Sequence, residues 1–435
     1  MFFVYALSGA LAASVLACVP ALHVYNVVGL LLALNIKVGS LIGPEALSAL
    51  MLGLITGYAM LNAIPSIFLS VPEESTIFVV LPGQKYLRQQ RGWEASLLTG
   101  VGGLGGVGAL VLLTPLASAW GPTVHATLQP HLHWILPSIT LFMLMSEWPK
   151  GTDRATTRWG KLAEAWRSLA AGLSTFVLAG LLGFILTYRK IIPLERAYQN
   201  LMPAFVGLFA LPWLLNNLRS RAVIPPQQLT SSVDADAPTL VRGVLTGSLG
   251  GLFAAFFPVV TGGIGGLIAG HATAQRDDRV FLISQGASKV VYYVGGLLLF
   301  FVPGLHLTRG GMAWMLSSVY TPCTPDTFYR AMAAVLLSGV LSFLLLLPLT
   351  RIMMRLVERV NYRWLSAAML ALLLAMVTLT TGPGGLLVAA VATGIGMIPV
   401  LWGARRMNCM GILLLPLTVN MAGWGGTVAR WLGLI

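Results

Sequence analysis

The chain has 435 residues, of which 57% are hydrophobic and only 9% are charged, against about 25% charged in ordinary soluble domains. That composition excludes a water-soluble fold. The formal charge of +13 does not point to nucleic acid, because the bases sit in short connectors between apolar runs, where positive-inside topology and anionic lipid account for them.

Stretches free of Asp, Glu, Lys and Arg cover residues 1–36, 46–72, 95–146, 243–275 and 364–404. A bilayer core takes about 20 apolar residues per helix, so several of these hold one span and some hold two. The N-terminus, Met1 to Tyr5, has no basic region, and no charge precedes Lys37. This predicts a retained first span rather than a cleaved signal peptide. In chain order, spans are expected near 3–19, 46–71, 95–117, 132–147, 168–188, 197–218, 243–257, 280–302, 331–350, 364–380, 384–403 and 408–429, with half-helices near 21–36, 73–82 and 259–275. The expected fold is all-α: a polytopic integral membrane protein with about 11–13 transmembrane helices, some of them discontinuous or re-entrant.

Basic clusters at Lys85/Arg88/Arg91, 150–167, Arg219/Arg221, Arg276/Arg279, Arg351 to Arg363 and Arg405/Arg406 are expected to face the cytoplasm. Arg189, Lys190 and Arg196 fit that scheme poorly. In the 150–167 connector, Trp159, Leu162, Ala163 and Trp166 recur at helical spacing opposite Arg154, Arg158, Lys161 and Arg167, which predicts a helix lying in the headgroup plane. One polar linker, Ile224-Pro225-Pro226 to Pro238, falls near the midpoint. It suggests two pseudo-repeats: a membrane half over 1–222, a linker over 223–240 and a second membrane half over 241–435.

Each half opens with a span that runs into a proline-centred polar break, Ala17 to Asn26 around Pro20 and Ala255 to Gly266 around Pro258. Proline removes a backbone donor and glycine eases unwinding, so such breaks leave backbone groups bare, which lipid tolerates only around a protein-lined cavity. Paired interruptions of this kind point to a transporter's substrate site, with ordinary proline kinks as the plainer reading. A further break reads Pro65-Ser66-Ile67-Phe68-Leu69-Ser70-Val71-Pro72-Glu73-Glu74-Ser75-Thr76. Its carboxylates either face a polar interior at membrane depth or form an interfacial acidic pair at a helix N-terminus. In the second half, Phe281 to Tyr293 sets Ser284, Gln285, Ser288 and Lys289 in a mostly apolar helix. Lys289 then needs an anionic partner, such as Glu73 or Glu74, the substrate's own charge, or a snorkelling route.

His23 follows the first break, where an imidazole can donate to an anion or shuttle a proton, or serve as a hydrogen-bonded structural residue. His125, His131 and His133 cluster without a nearby acid or cysteine, so no metal site is assigned. Cys18, Cys323 and Cys409 lie far apart, which indicates neither a disulfide framework nor a zinc site. The glycine run Gly102 to Gly108 lies inside an apolar span and reads as helix packing. No phosphate loop, nucleophile elbow or dinucleotide fingerprint stands out, and no cofactor is expected.

The residues Pro20 to Asn26, Pro65 to Thr76 leading to Leu81-Pro82-Gly83-Gln84 and Arg91-Gly92-Trp93-Glu94-Ala95, and Pro258 to Gly266 with Phe281 to Gly286, resemble the large membrane subunit of tripartite tricarboxylate transporters, the TctA-like permeases, and especially stand-alone archaeal-type relatives. The resemblance implies that the breaks frame the substrate and coupling-ion site. The sequence departs from the family pattern in placing Ala21 and Val259 where a glycine usually follows each proline, and Lys289 where uncharged amides or acids are commoner. The expected function is secondary transport of an organic anion, a carboxylate by resemblance, through a midplane site between the pseudo-repeats. The expected substrate-binding residues are Pro20, His23, Asn26, Glu73, Glu74, Ser75, Thr76, Thr261, Gly262, Gly263, Ser284, Gln285, Ser288 and Lys289. Transport of a lipid-linked phosphate and a non-transporting structural subunit of a larger membrane assembly are the alternatives. An enzyme using Glu73 and Glu74 with a histidine ranks below them. Expected partners are the small anionic substrate or lipid-linked phosphate, membrane lipids, and a small membrane subunit with a periplasmic binding protein. The expected location is the inner (cytoplasmic) membrane.

Overall fold

The computed structural model describes residues 1–435 apart from 20–21, 40, 149–151, 193–199, 220–223, 231 and 323. Pro20, Ala21, Arg196, Arg221 and Cys323 therefore lie outside the described residues. Helices account for the regular structure, and no strand occurs among the described residues.

The first part of the chain forms α1 (Phe2–Leu16), α2 (Val24–Lys37), α3 (Pro44–Leu61), α4 (Ala63–Phe68), α5 (Val80–Arg88), α6 (Gly92–Leu128), α7 (Leu132–Met145), α8 (Arg158–Tyr188), α9 (Met202–Phe205) and α10 (Leu211–Arg219). After the polar linker come α11 (Ala237–Phe256), α12 (Gly262–Ala272), α13 (Asp278–Phe301), α14 (Gly310–Ser317), α15 (Pro325–Arg359), α16 (Tyr362–Trp402), α17 (Gly411–Met421) and α18 (Gly425–Trp431). Local chemistry sets several starts. Pro44 occupies the first turn of α3, where its missing N–H costs nothing. Asp236 accepts the Thr239 N–H at the start of α11, and Asp277 accepts the Arg279 N–H at the start of α13.

Six helical runs among the described residues are long and apolar enough to cross a bilayer, and a bent pair makes up to seven. The chain is thus an all-α polytopic membrane protein. Several expected spans merge. Gly92–Met145 is one helical run of 54 residues, and it holds the spans expected at 95–117 and 132–147. Likewise α16 contains both 364–380 and 384–403, interrupted at Gly382, whose φ of 70° only glycine adopts readily.

Two expectations need correction. The stretch 158–167 is not a separate surface helix, because nothing between Arg158 and Tyr188 interrupts the hydrogen-bond ladder, and α8 runs on for 31 residues. Trp159 and Trp166 remain exposed on its first turns. The span expected at 408–429 is instead a helix pair bent by 116°, with Gly423 at φ 80° in the turn.

The described chain forms two compact units, one from residues 1–126 and 221–365, the other from 127–220 and 366–435. In the first, small residues bring helices to backbone contact. A β-carbon at Gly53 of α3 would overlap the Ala6 carbonyl of α1, and one at Gly102 of α6 would overlap the Ile283 carbonyl of α13. Gly102, Gly103, Gly105 and Gly106 of α6 are therefore packing surface, as their apolar setting predicts, while Gly108 faces open space. In the second unit α8 lies against α17 in the same way, with Gly183 against the Ile412 carbonyl. There Glu147, fully buried, accepts the Arg405 N–H at 2.7 Å and the Asn408 amide at 3.0 Å.

Candidate functional site

The first unit contains three interruptions of the helical ladder that meet around the middle of α13. Between α1 and α2, His23 caps α2 by accepting the Tyr25 N–H on Nδ1 at 3.1 Å. A neutral ring accepting there carries its proton on Nε2. Between α4 and α5, Leu69 to Thr76 leave the helix, with Ser70 at a positive φ of 56°. Between α11 and α12, Val259 takes a φ of 64°, a region that a β-branched residue enters only under strain. Thr261 then caps α12 by accepting the Ile264 N–H.

These segments converge on two glutamates. Glu73 and Glu74 are each only 7% exposed, so both carboxylates lie inside the protein. His23 Nε2 lies 2.6 Å from Glu74 Oε1 and 3.6 Å from Glu73 Oε2. Glu73 Oε1 accepts from the Asn62 amide at 2.7 Å and from the Ser75 hydroxyl. Tyr293 donates to Glu73 Oε2 at 2.7 Å, with Glu74 Oε1 at 3.1 Å as the competing acceptor for its one proton. Lys289, one helical turn before Tyr293, is fully buried and donates to the Asn62 carbonyl oxygen at 2.8 Å. The lysine thus reaches Glu73 through an amide that donates on one side and accepts on the other. Ser66 donates to Thr76 Oγ1 at 2.8 Å, and that oxygen also receives the Glu73 N–H at 3.1 Å, which fixes the turn holding both acids.

The apolar wall around this cluster is aromatic. The His23 ring lies 4.4 Å from that of Tyr25 and 6.0 Å from that of Tyr58, and Tyr293 stands nearly perpendicular to both tyrosines. His23, Glu73 and Glu74 offer ligand atoms within 4.8 Å of one another, a spacing that a small cation could use. The same oxygens are already engaged by Asn62, Ser75 and Tyr293, so the chemistry most available to the cluster is proton exchange among hydrogen-bonded acids, phenol and imidazole.

Of the residues expected in the site, His23, Glu73, Glu74, Ser75, Thr76 and Lys289 come together directly. Gly262 packs on the Lys289 backbone, Gly263 lies beside the Ser75 carbonyl, and Ser288 donates to the Gly262 carbonyl at 2.6 Å. Gln285 sits one turn before Lys289, buried, with neither amide atom partnered among the described residues. Ser284 turns to the Phe281 carbonyl and Gln275, away from the acids. Asn26 sits in the first turn of α2, half-buried. Pro20 lies outside the described residues. Sequence reasoning missed Asn62, Tyr25, Tyr58 and Tyr293. Asn62 carried a readable signal, being a lone amide within an otherwise apolar span just before Pro65. The tyrosines carried none, because an aromatic in an apolar run reads equally well as core.

A second charged group lies at the N-terminal end of α13. Lys85 pairs with Asp278, Arg91 with Glu94 and Asp234, and Arg279 with Asp277 at 2.7 Å and Asp234 at 3.3 Å. The Arg279 guanidinium holds the Asp277 carboxyl below the usual aspartate range. Lys85, Arg91, Asp234, Asp277, Asp278 and Arg279 line an open groove of about 600 Å³.

The sequence profile of the tripartite tricarboxylate transporter TctA family matches residues 3–411. An uncharacterized protein of Methanocaldococcus jannaschii is 24% identical over 420 residues, covering 95% of this chain and 97% of its own. No solved structure matches.

Proposed function

Because the chain belongs to the tripartite tricarboxylate transporter TctA family, a transporter family rather than an enzyme family, we propose that it is the permease that moves an organic anion, a carboxylate, through the site around Glu73, Glu74 and Lys289 near the membrane midplane. The observation that carries this reading is the buried, internally hydrogen-bonded set of His23, Asn62, Glu73, Glu74, Lys289 and Tyr293 in an otherwise apolar bundle. Ionisable groups inside a membrane protein are costly and persist where they do work.

The charges also suggest an order of events. At about 4 Å and an effective dielectric near 20, two like charges repel by about 4 kcal/mol. An anion beside Glu73 and Glu74 is therefore costly while they are ionised, and a proton or cation that neutralises them lowers that cost. Once neutralised, the acids release Lys289 from its link through Asn62, and the ammonium, together with the Gln285 amide and the caps at Thr261 to Gly263, can receive the carboxylate. Coupling ion and cargo then enter together, as in a symporter. A periplasmic binding protein would deliver the cargo and a small membrane subunit would complete the assembly, with the chain in the inner membrane.

The test is uptake of labelled citrate and succinate into proteoliposomes under an inward proton or sodium gradient, comparing wild type with Glu74→Gln and Lys289→Ala. Gradient-driven uptake that both variants lose is the expected result. Folded wild-type protein that takes up neither acid under either gradient, with the small membrane subunit and binding protein supplied, overturns the proposal.

A further inference from the structure

We propose that Arg309 and the three tyrosines beside it form a carboxylate-receiving subsite next to the glutamate cluster. The proposal deepens the transport reading and rests on it. A small cavity of about 40 Å³ is walled by Tyr25, Tyr292, Tyr293, Phe257, Val259 and Arg309. A water needs at least about 10–15 Å³ on this measure, so the space takes a few waters or the two oxygens of one carboxylate, and not a whole tricarboxylate.

Arg309 stands at the N-cap of α14, and one of its terminal nitrogens donates to the Phe256 carbonyl, the last residue of α11. This satisfies a carbonyl that the helix end leaves orphaned. The rest of the guanidinium has no such employment. Its Nε is buried without a hydrogen-bond partner among the described residues, and the ionisable side chain acting on it is Tyr292, not a carboxylate. A planar cation with five donors, set against a cavity with donors to spare, is the geometry that binds a carboxylate by two parallel hydrogen bonds.

Position ties the cavity to the acids. Tyr293 lines it and also donates its hydroxyl to Glu73, and Tyr25 lines it while its ring contacts His23. An anion held by Arg309 is thus one tyrosine away from the cluster whose neutralisation lowers the cost of its advance. Phe257 and Val259, from the break between α11 and α12, also line the cavity.

The experiment uses the full-length protein in nanodiscs and proteoliposomes. Thermal shift is measured with succinate, citrate and the uncharged succinamide, and succinate uptake with wild type, Arg309→Gln, Arg309→Lys and Tyr292→Phe. Phenylglyoxal labelling of Arg309, read by peptide mass spectrometry with and without succinate, requires no variant and so stands even if Arg309→Gln fails to fold. The expected results are a shift with the acids but not succinamide, protection of Arg309 by succinate, and an apparent KM raised by about tenfold or more in Arg309→Gln, with Arg309→Lys between. Uptake by wild type with unchanged KM in a folded Arg309→Gln, and no protection of Arg309, overturns the subsite while leaving the transport reading intact. Protection of Arg309 without uptake by wild type supports the subsite and counts against transport.

Discussion

Helix α13 carries two charged groups, and they differ in almost every respect that matters. At its N-terminal end Lys85, Arg91, Asp234, Asp277, Asp278 and Arg279 surround an open groove, and Lys85 is 60% exposed. Halfway along, Lys289, Asn62, Glu73, Glu74, His23 and Tyr293 are buried or nearly so and joined to one another by hydrogen bonds. Water screens the first group, so each exposed pair contributes roughly 0–1 kcal/mol. The second is out of water, where each partner is needed by the next and loss of one leaves an uncompensated charge. Of the two, the open groove is therefore the less informative feature, because its charges answer mainly to water.

The sharpest way to break that contrast is to remove Lys289. Lys289→Met strands Asn62 and leaves Glu73 without the buried cation it reaches through that amide, so a destabilisation of about 3–5 kcal/mol is expected, read as a large drop in melting temperature in nanodiscs. Adding Glu73→Gln to the same chain removes the stranded charge and should recover much of the loss. A Lys289→Met protein as stable as wild type would mean that the acids are not held by the lysine, and the two clusters would no longer differ in kind.

A smaller effect is expected at the break between α11 and α12. Val259 sits in the left-handed region, which costs about 1–2 kcal/mol for a residue with a β-carbon, while glycine in its place adds chain entropy worth about 0.5–1 kcal/mol. Val259→Gly should thus raise stability by up to about 1.5 kcal/mol, seen as a small rise in melting temperature. A fall would show that the valine side chain, which walls the cavity beside Arg309, contributes more by packing than its backbone costs.

Much of the architecture was legible in the sequence, because a bilayer leaves few alternatives to helices and the charge-free stretches announce them. The breaks were legible too, since proline and glycine act locally. What escaped was set by partners distant in sequence. Nothing in residues 150–188 says whether an amphipathic turn and the following span will fuse, as they do in α8. Asn62 gains its role only because α3 places it between Lys289 and Glu73, which are 216 residues apart in number and joined by a single amide. The pairing of Glu73 with Lys289 was one of several open possibilities for that reason, and Arg309 lay in a connector that read only as loop.

The smallest effect belongs to the exposed cluster. Lys85→Gln removes the partner of Asp278 and should change stability by no more than roughly 1 kcal/mol, less still at high salt. The same cluster does have a pH signature of definite sign. Arg279 depresses the Asp277 carboxyl in the folded state, so its contribution is complete above the ordinary aspartate range and is lost as pH falls through and below it. A melting series taken downward from neutral pH in wild type and Asp277→Asn should converge at acid pH and separate at neutral pH, with the variant the less stable. Curves that stay parallel to the acid end would mean that the carboxylate's charge is not what Arg279 holds. Asp277 would then act at the start of α13 only as a cap, a role that Asn fills equally well.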